Sequence, residues 1–225
     1  MNPLDAIALN IEGLQRRKDK GRVRVWYTPD GDEVRLHYFA KAPDLPADLD
    51  SLAELRLALS RSASASGAAI IEADVTGVAG CRAVRQFVKV PQRPHGMTYL
   101  GSLTLPFRDF SFVLKIRCEE RGTTGVRDTM VLNDKLESGD VRLDGIAMVG
   151  WMKDPYDATR TSGLARNLSD GDEHDWLFPD HPLSRARRFL RAAEANIGMA
   201  DKITSADRFV YGTRPPSSRP WWKLW

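Results

Sequence analysis

The stretch "DGDEHDW" at residues 170–176 gathers the side chains of this sequence best suited to hold a metal ion: Asp172, His174 and Asp175, with His181 seven residues further on. Carboxylate oxygens and imidazole nitrogens ligate divalent cations. The order departs from an EF-hand loop, and neither an HExxH pair nor a second ligand pair accompanies it. The stretch therefore reads as a solvated acidic loop, and no metal or cofactor is expected.

A second candidate is "ERGTTGVRD" at 120–128. Phosphate loops of the GxxxxGK[ST] type need glycines and a lysine at set spacing, and this turn has two glycines and no such lysine. Thr124 is placed instead to cap a helix over 126–137, with Arg121 and Arg127 beside its start as a weak anion-binding pair. Cys81 and Cys118 are too few for a metal cage, and Glu119 and Glu120 beside Cys118 disfavour a thiolate, so both read as buried structural thiols. No GxSxG elbow or Cys-His signature supplies a nucleophile with its base, so no catalytic residue is nominated.

The elements that position these residues belong to a 225-residue chain, 42% hydrophobic and 28% charged, as in an ordinary globular protein. No window approaches the roughly 18 apolar residues of a membrane span. Leu4, Ile7, Ala8, Ile11 and Leu14 follow helical spacing, while Asp5 and Glu12 interrupt any signal-peptide core. An amphipathic amino-terminal helix and a cytoplasmic location are expected. Residues 128–180 hold twelve acidic and five basic side chains, and 181–225 hold three acidic and nine basic. The basic residues are not interleaved with a reading motif, which disfavours a nucleic-acid partner.

"RVRVWYTPDGDEVRLHYFA" predicts a hairpin, with Val23, Val25 and Tyr27 on the face shared by Val34, Leu36 and Tyr38. Ser51 and Glu54 predict a capping box for a helix carrying Leu52, Leu55 and Leu59. Strands are expected over 68–76, 82–90, 97–105 and 110–118, their short breaks favouring antiparallel pairing. Residues 139–180 read as surface loops and strand fragments. The strongest helix signal begins at Pro182: Leu183, Ala186, Phe189, Leu190, Ala193 and Ile197 form its buried stripe, Arg185, Arg187, Arg188 and Arg191 its outward face, and Gly198 its stop.

If Val23, Val34, Val84 and Phe112 point to the core, period two turns Trp26, Phe39 and Phe87 to the opposite face, among Arg24, Arg35, Arg85 and Lys89. Such an arginine-aromatic face calls for a cover, either the protein's own loops or a partner. The tail "RPPSSRPWWKLW" adds Trp221, Trp222 and Trp225, which imply docking in cis or in trans.

The order of helix, hairpin, helix, antiparallel strands and covering helices, with "CRAVRQFVKV…MTYLGSLTLPFRDFSFVLKIRCEERGTTGVRD" as its centre, resembles the Mog1/PsbP-like superfamily over about residues 20–140. The resemblance implies an α+β fold, with a twisted, largely antiparallel sheet of about six strands covered by helices. It also implies a non-enzymatic binding module, as in chaperones of bacterial secretion effectors, and carries over no catalytic residue. The expected organisation is one α+β domain over 1–212, its core over about 20–140 and a helical elaboration over 140–212, followed by a Pro/Trp-rich tail over 213–225. The leading expectation is a non-catalytic adaptor or chaperone for a secreted or effector protein of bacteria, taking another protein or peptide, or a second copy of itself, on the sheet face and tail. The competing expectation is a metal-dependent or anion-binding hydrolase built on 170–181 with Arg121 and Arg127.

Overall fold

The computed structural model describes residues 2–212. In chain order the elements are β1 (Ile7–Leu9), β2 (Gln15–Lys20), β3 (Val23–Tyr27), β4 (Glu33–Phe39), α1 (Leu52–Ala65), β5 (Ala69–Val78), β6 (Cys81–Pro91), β7 (Met97–Pro106), β8 (Ser111–Glu119), α2 (Val126–Glu137), β9 (Arg142–Asp144), β10 (Ala147–Val149), α3 (Pro182–Asn196), β11 (Ile197–Met199) and α4 (Asp201–Thr204). β2 to β8 form a seven-stranded sheet in the order β2-β3-β4-β8-β7-β6-β5, every neighbouring pair antiparallel. The fold is α+β, as the alternating strands predict.

The strands form where turns separate runs of alternating side chains. Thr28 and Gly31 close the first hairpin, the Gly31 N–H donating to the Thr28 carbonyl at 2.9 Å. Gly31 has φ +77°, a conformation that favours glycine. α1 then carries the chain from β4, third in the sheet, to β5 at its far edge. No side-chain bond from Ser51 caps α1, so the helix forms without the predicted capping box.

α3 packs on β7 and β8. Its stripe of Leu183, Ala186, Leu190 and Ala193 is buried against Leu36, Leu103, Phe112, Leu114 and Ile116 in the main apolar cluster. Gly101 marks the tightest approach: a methyl there would lie 3.0 Å from Ile116 Cγ2 and 3.1 Å from Leu190 Cδ1. α1 covers the other face at β5, where Leu55, Leu59 and Ala63 meet Ile70, Ala73, Val84 and Val88. A smaller third cluster of Val131, Val141 and Trp151 holds α2 to the chain that follows it.

Four expectations are corrected. The amino terminus is not a helix: a 3₁₀ turn over Pro3–Ala6 leads into β1, which pairs with β11, because Leu4, Ala6 and Ile7 join the main core and Arg24 draws Asp5 in. α2 forms as predicted, but the residue before it is Gly125 at φ +73°, and the Thr124 side chain does not cap it. Residues 139–180 are not all surface: Trp151, Asp154 and Asp170 are buried. Nor do all four arginines of α3 face outward. Arg187 is buried, and Arg185 makes a bidentate pair with buried Asp32 at 2.7 and 2.8 Å, while Arg188 and Arg191 are exposed.

Candidate protein-binding cleft

The residues expected to form one arginine-aromatic face are divided between the two faces of the sheet. β3 pairs with β4 so that Trp26 stands opposite Val34 and Arg24 opposite Leu36. Trp26 therefore turns into the main core, and Phe87, in register with Gly101, lies there too at 2% exposure. Arg24 is buried in bonds to Asp19 and Asp5, and Arg85 binds Glu194 of α3 at 3.1 Å. Phe39 and Arg35 stand on the opposite face with His37, whose ring stacks on Phe39 at 5.9 Å. The expected placement fails because both faces are covered, so alternation along one strand does not say which side meets which helix. Trp221, Trp222 and Trp225 lie outside the described residues.

The two arginines expected beside the α2 start both line one cavity there but differ in burial. Arg127 is 1% exposed. Its guanidinium donates to the Ser169 and Gly171 carbonyls, both at 2.7 Å, to Asp175 at 3.0 Å and to Ser184 at 2.8 Å. Those donors are committed within the protein. Arg121 stays exposed and donates to the Asp30 and Gly31 carbonyls of the first hairpin.

The 170–181 segment is likewise tied to cations of its own chain. Asp170 pairs with buried Lys89, and Asp175 is shared by Arg127 and Arg187. Asp172 reaches exposed Arg191 at 3.2 Å. Among the described residues no three His, Cys, Asp or Glu side chains converge as a metal site. Local sequence carried no signal for this buried network, since Lys89 and Asp170 are 81 residues apart. The thiols of Cys81 and Cys118 are free and buried, and burial, with Asp32 next, pushes the Cys118 thiol up.

Between the start of α2 and the start of α3 lies a cavity of about 460 Å³. Glu120, Arg121, Val126, Leu177, Phe178 and His181 are among the residues lining it. The volume falls in the range of small-ligand and peptide side-chain pockets. Glu120 accepts from the Gly125 and Met97 N–H groups at 2.9 and 2.8 Å, so its carboxylate pins the turn before α2. His181 Nδ1 accepts from the Leu183 N–H at the start of α3, leaving the ring proton on Nε2, 3.8 Å from Glu120. Burial, reinforced by Arg127 and Arg185, holds the His181 imidazole down at about 3. The ring is thus neutral and its acceptor nitrogen is occupied by the helix start.

The cleft's outer edge is apolar and wet. Leu177 and Val126, both lining residues, are half exposed, Trp176 is 76% exposed, and Met130 stands exposed on α2. Sequence reading missed this group because its members come from α2 and from the turn before α3, 46 to 51 residues apart in the chain.

No family model matches the sequence, and no curated protein does. Among solved structures, a protein from Bacteroides thetaiotaomicron is similar with a TM-score of 0.35 and 11% identity, over 54% of this chain and 41% of that one. The match thus spans less than half of the Bacteroides protein. The solution structure of cyanobacterial PsbP from Synechocystis is similar with a TM-score of 0.37 and 15% identity, over 60% of this chain and 86% of that one. PA94 of Pseudomonas aeruginosa, a protein of unknown function, has a TM-score of 0.29 and 10% identity over 63% and 84%. A PsbP protein is therefore among the chains to which this one bears a weak likeness, as the order of its elements suggests. Among the described residues no helix is long and apolar enough to cross a membrane.

Proposed function

We infer that this chain is a non-catalytic protein-binding module whose partner enters the cleft between α2 and α3. The observation that carries the reading is half-exposed Val126 and Leu177 in the lining of that cleft, with exposed Met130 one turn further along α2 and exposed Trp176 next to Leu177 in the chain. Clustered exposed apolar side chains beside a cavity mark interaction sites, and a solvated tryptophan is the residue type that most often anchors one. Inside the cleft, Glu120 and His181 are engaged with backbone N–H groups, so the walls offer shape and charge rather than a nucleophile with its base. The partner on this reading is a segment of another protein that presents an apolar side chain to the cavity. The narrower role, an adaptor or chaperone for a secreted or effector protein, is supported by the family resemblance of the sequence.

The test is affinity capture with the full chain and with a Trp176→Ser, Leu177→Ser double variant, followed by mass spectrometry of what is retained. A stoichiometric partner lost from the variant, at an unchanged melting temperature, supports the reading; a second copy of this chain is one form that partner takes. Equal capture by both chains refutes it. The hydrolase reading regains ground if zinc or manganese binds with micromolar affinity and His174→Ala abolishes that binding.

A further inference from the structure

β9 and β10 form a hairpin outside the large sheet. Arg142, Leu143 and Asp144 pair with Val149, Met148 and Ala147, and Gly145-Ile146 is the two-residue turn between them. Gly145 takes φ +60° and Ile146 does not, as in a type II′ turn. Every residue of both strands is exposed. Leu143 is 66% exposed and Ile146 fully so, and Met148 and Val149 are nearly half exposed. None of the four packs in an apolar cluster of the described residues.

The edges of the large sheet are guarded, and the edge of this hairpin is not. At β5 the Tyr156 hydroxyl accepts from the Ala73 N–H at 2.9 Å and donates to the Ala73 carbonyl at 3.3 Å, which occupies the edge backbone. At β2 the exposed cations Arg16, Lys18 and Lys20 would repel a second copy of the same strand. β9 carries instead one charge of each sign around an exposed leucine. An exposed apolar edge strand is an association site.

The register of the hairpin and its charges select what pairs there. In a two-residue hairpin the pair flanking the turn exchanges its backbone hydrogen bonds inward, so the next residue turns its N–H and C=O to the free edge. On β9 that residue is Leu143. Arg142 and Asp144 on either side make no ion pair among the described residues. A second copy, antiparallel and related by a two-fold axis at Leu143, bonds to Leu143 through both outward groups and sets Arg142 opposite the copy's Asp144, twice over. Sliding the copy by two residues either way sets Arg142 against Arg142 or Asp144 against Asp144. β10 has no charged residue and makes no such selection.

We propose that this chain self-associates through β9, two hairpins joining into a four-stranded antiparallel ribbon in the order β10-β9-β9-β10. Leu143 and Met148 of both copies then lie in one row across the ribbon. The paired edge is short, so the dimer is a weak and reversible one. Residues 135–149 hold three acidic and two basic side chains, a balance that disfavours an anionic lipid surface as the occupant. The cleft between α2 and α3 shares none of these residues, so the two readings stand or fall separately.

The experiment is sedimentation equilibrium of the full chain over a wide range of concentration, comparing the parent with Arg142→Asp, Asp144→Arg and the double variant that carries both. The parent should show a monomer–dimer equilibrium whose dissociation constant rises about tenfold in each single variant, where like charges meet twice, and returns toward the parent value in the double variant, where opposite charges meet again. The Trp176→Ser, Leu177→Ser chain should dimerise as the parent does. Melting temperatures should be unchanged throughout, since both charged positions are exposed. A parent that stays monomeric overturns the proposal, as does a dimer that ignores the single reversals or that the double variant fails to restore. A monomeric parent that sediments with phosphatidylcholine vesicles, and loses that binding in Ile146→Ser, assigns the hairpin to a lipid surface instead and overturns it too.

Discussion

The two faces of the large sheet are both buried, yet they are built from different materials. Against α3 lie Leu36, Phe87, Leu103, Phe112, Leu114 and Ile116 in one continuous apolar cluster. On the opposite face the apolar cluster stops at α1's margin and gives way to Gln86, Ser102, Thr104, Lys115 and His37. Burial, with Lys115 and Arg35 nearby, holds the His37 imidazole down at about 4. Burial, and then Arg35, holds the Lys115 ammonium down at about 7. The apolar cluster gains stability from the residues it hides, whereas the polar half of the other face hides groups that cost free energy to bury. Burial alone therefore does not say that a surface serves stability; the material of the face does.

The sharpest way to break the comparison is to truncate the apolar face. Phe87→Ala, Trp26→Ala and Phe112→Ala should each cost about 3–5 kcal/mol in urea denaturation, because all three rings sit in the α3 core. Val113→Ala on the polar half should cost about 1 kcal/mol. Losses from Trp26 or Phe87 no greater than that from Val113 would contradict their place in the core.

Next is the buried ion network that fastens the 167–175 segment. Arg127→Met should cost about 3 kcal/mol, since it strips donors from two buried carbonyls and from Ser184 and leaves Asp175 with Arg187 as its remaining cation. The same denaturation series measures it.

His181 gives a smaller effect that depends on pH. Its imidazole titrates near 6.5 when unfolded and near 3 when folded, so the unfolded chain binds the proton first as pH falls. Its contribution is present above about pH 6.5 and is lost on acidification toward 3, amounting to about 2 kcal/mol by pH 5. The difference in stability between the parent and His181→Asn should therefore shrink by that amount between pH 7.5 and pH 5. A difference independent of pH would mean that the folded ring takes up its proton at the same pH as in the unfolded chain.

The smallest effect on stability is expected at the mouth of the cleft. Trp176→Ser should change the unfolding free energy by less than about 0.5 kcal/mol, as for other exposed positions, while abolishing partner capture. A large loss of stability there would make Trp176 a structural residue.

Much of the fold was legible because its strands and helices announce themselves locally. β8 alternates Phe112, Leu114, Ile116 and Cys118 with Ser111, Val113, Lys115 and Arg117, and α3 has Pro182 at its start with apolar residues at helical spacing. The amino terminus was misread because Leu4 and Ile7 suit a helical stripe and a sheet edge alike, and pairing with β11 nearly 190 residues away decided between them. The cleft was illegible for the same reason, as Val126 and Leu177 meet only when α2 and α3 pack.

By itself, then, the sequence determined β3 to β8, their antiparallel succession, α1 and α3, and the burial of both cysteines, because periodicity and turns act over a few residues. The tertiary structure alone decided which face each strand turns to which helix. Period two defines two faces without naming them, and the Trp26–Val34 register, not the hydrophobicity of β3, sent Trp26 inward and left Val25 on the polar side. It also decided the fate of the charges. Arg127, Asp175 and Arg187 look like surface residues in sequence, and they become a buried network only because segments far apart in the chain bring opposite charges to one place, where each offsets the desolvation of the others.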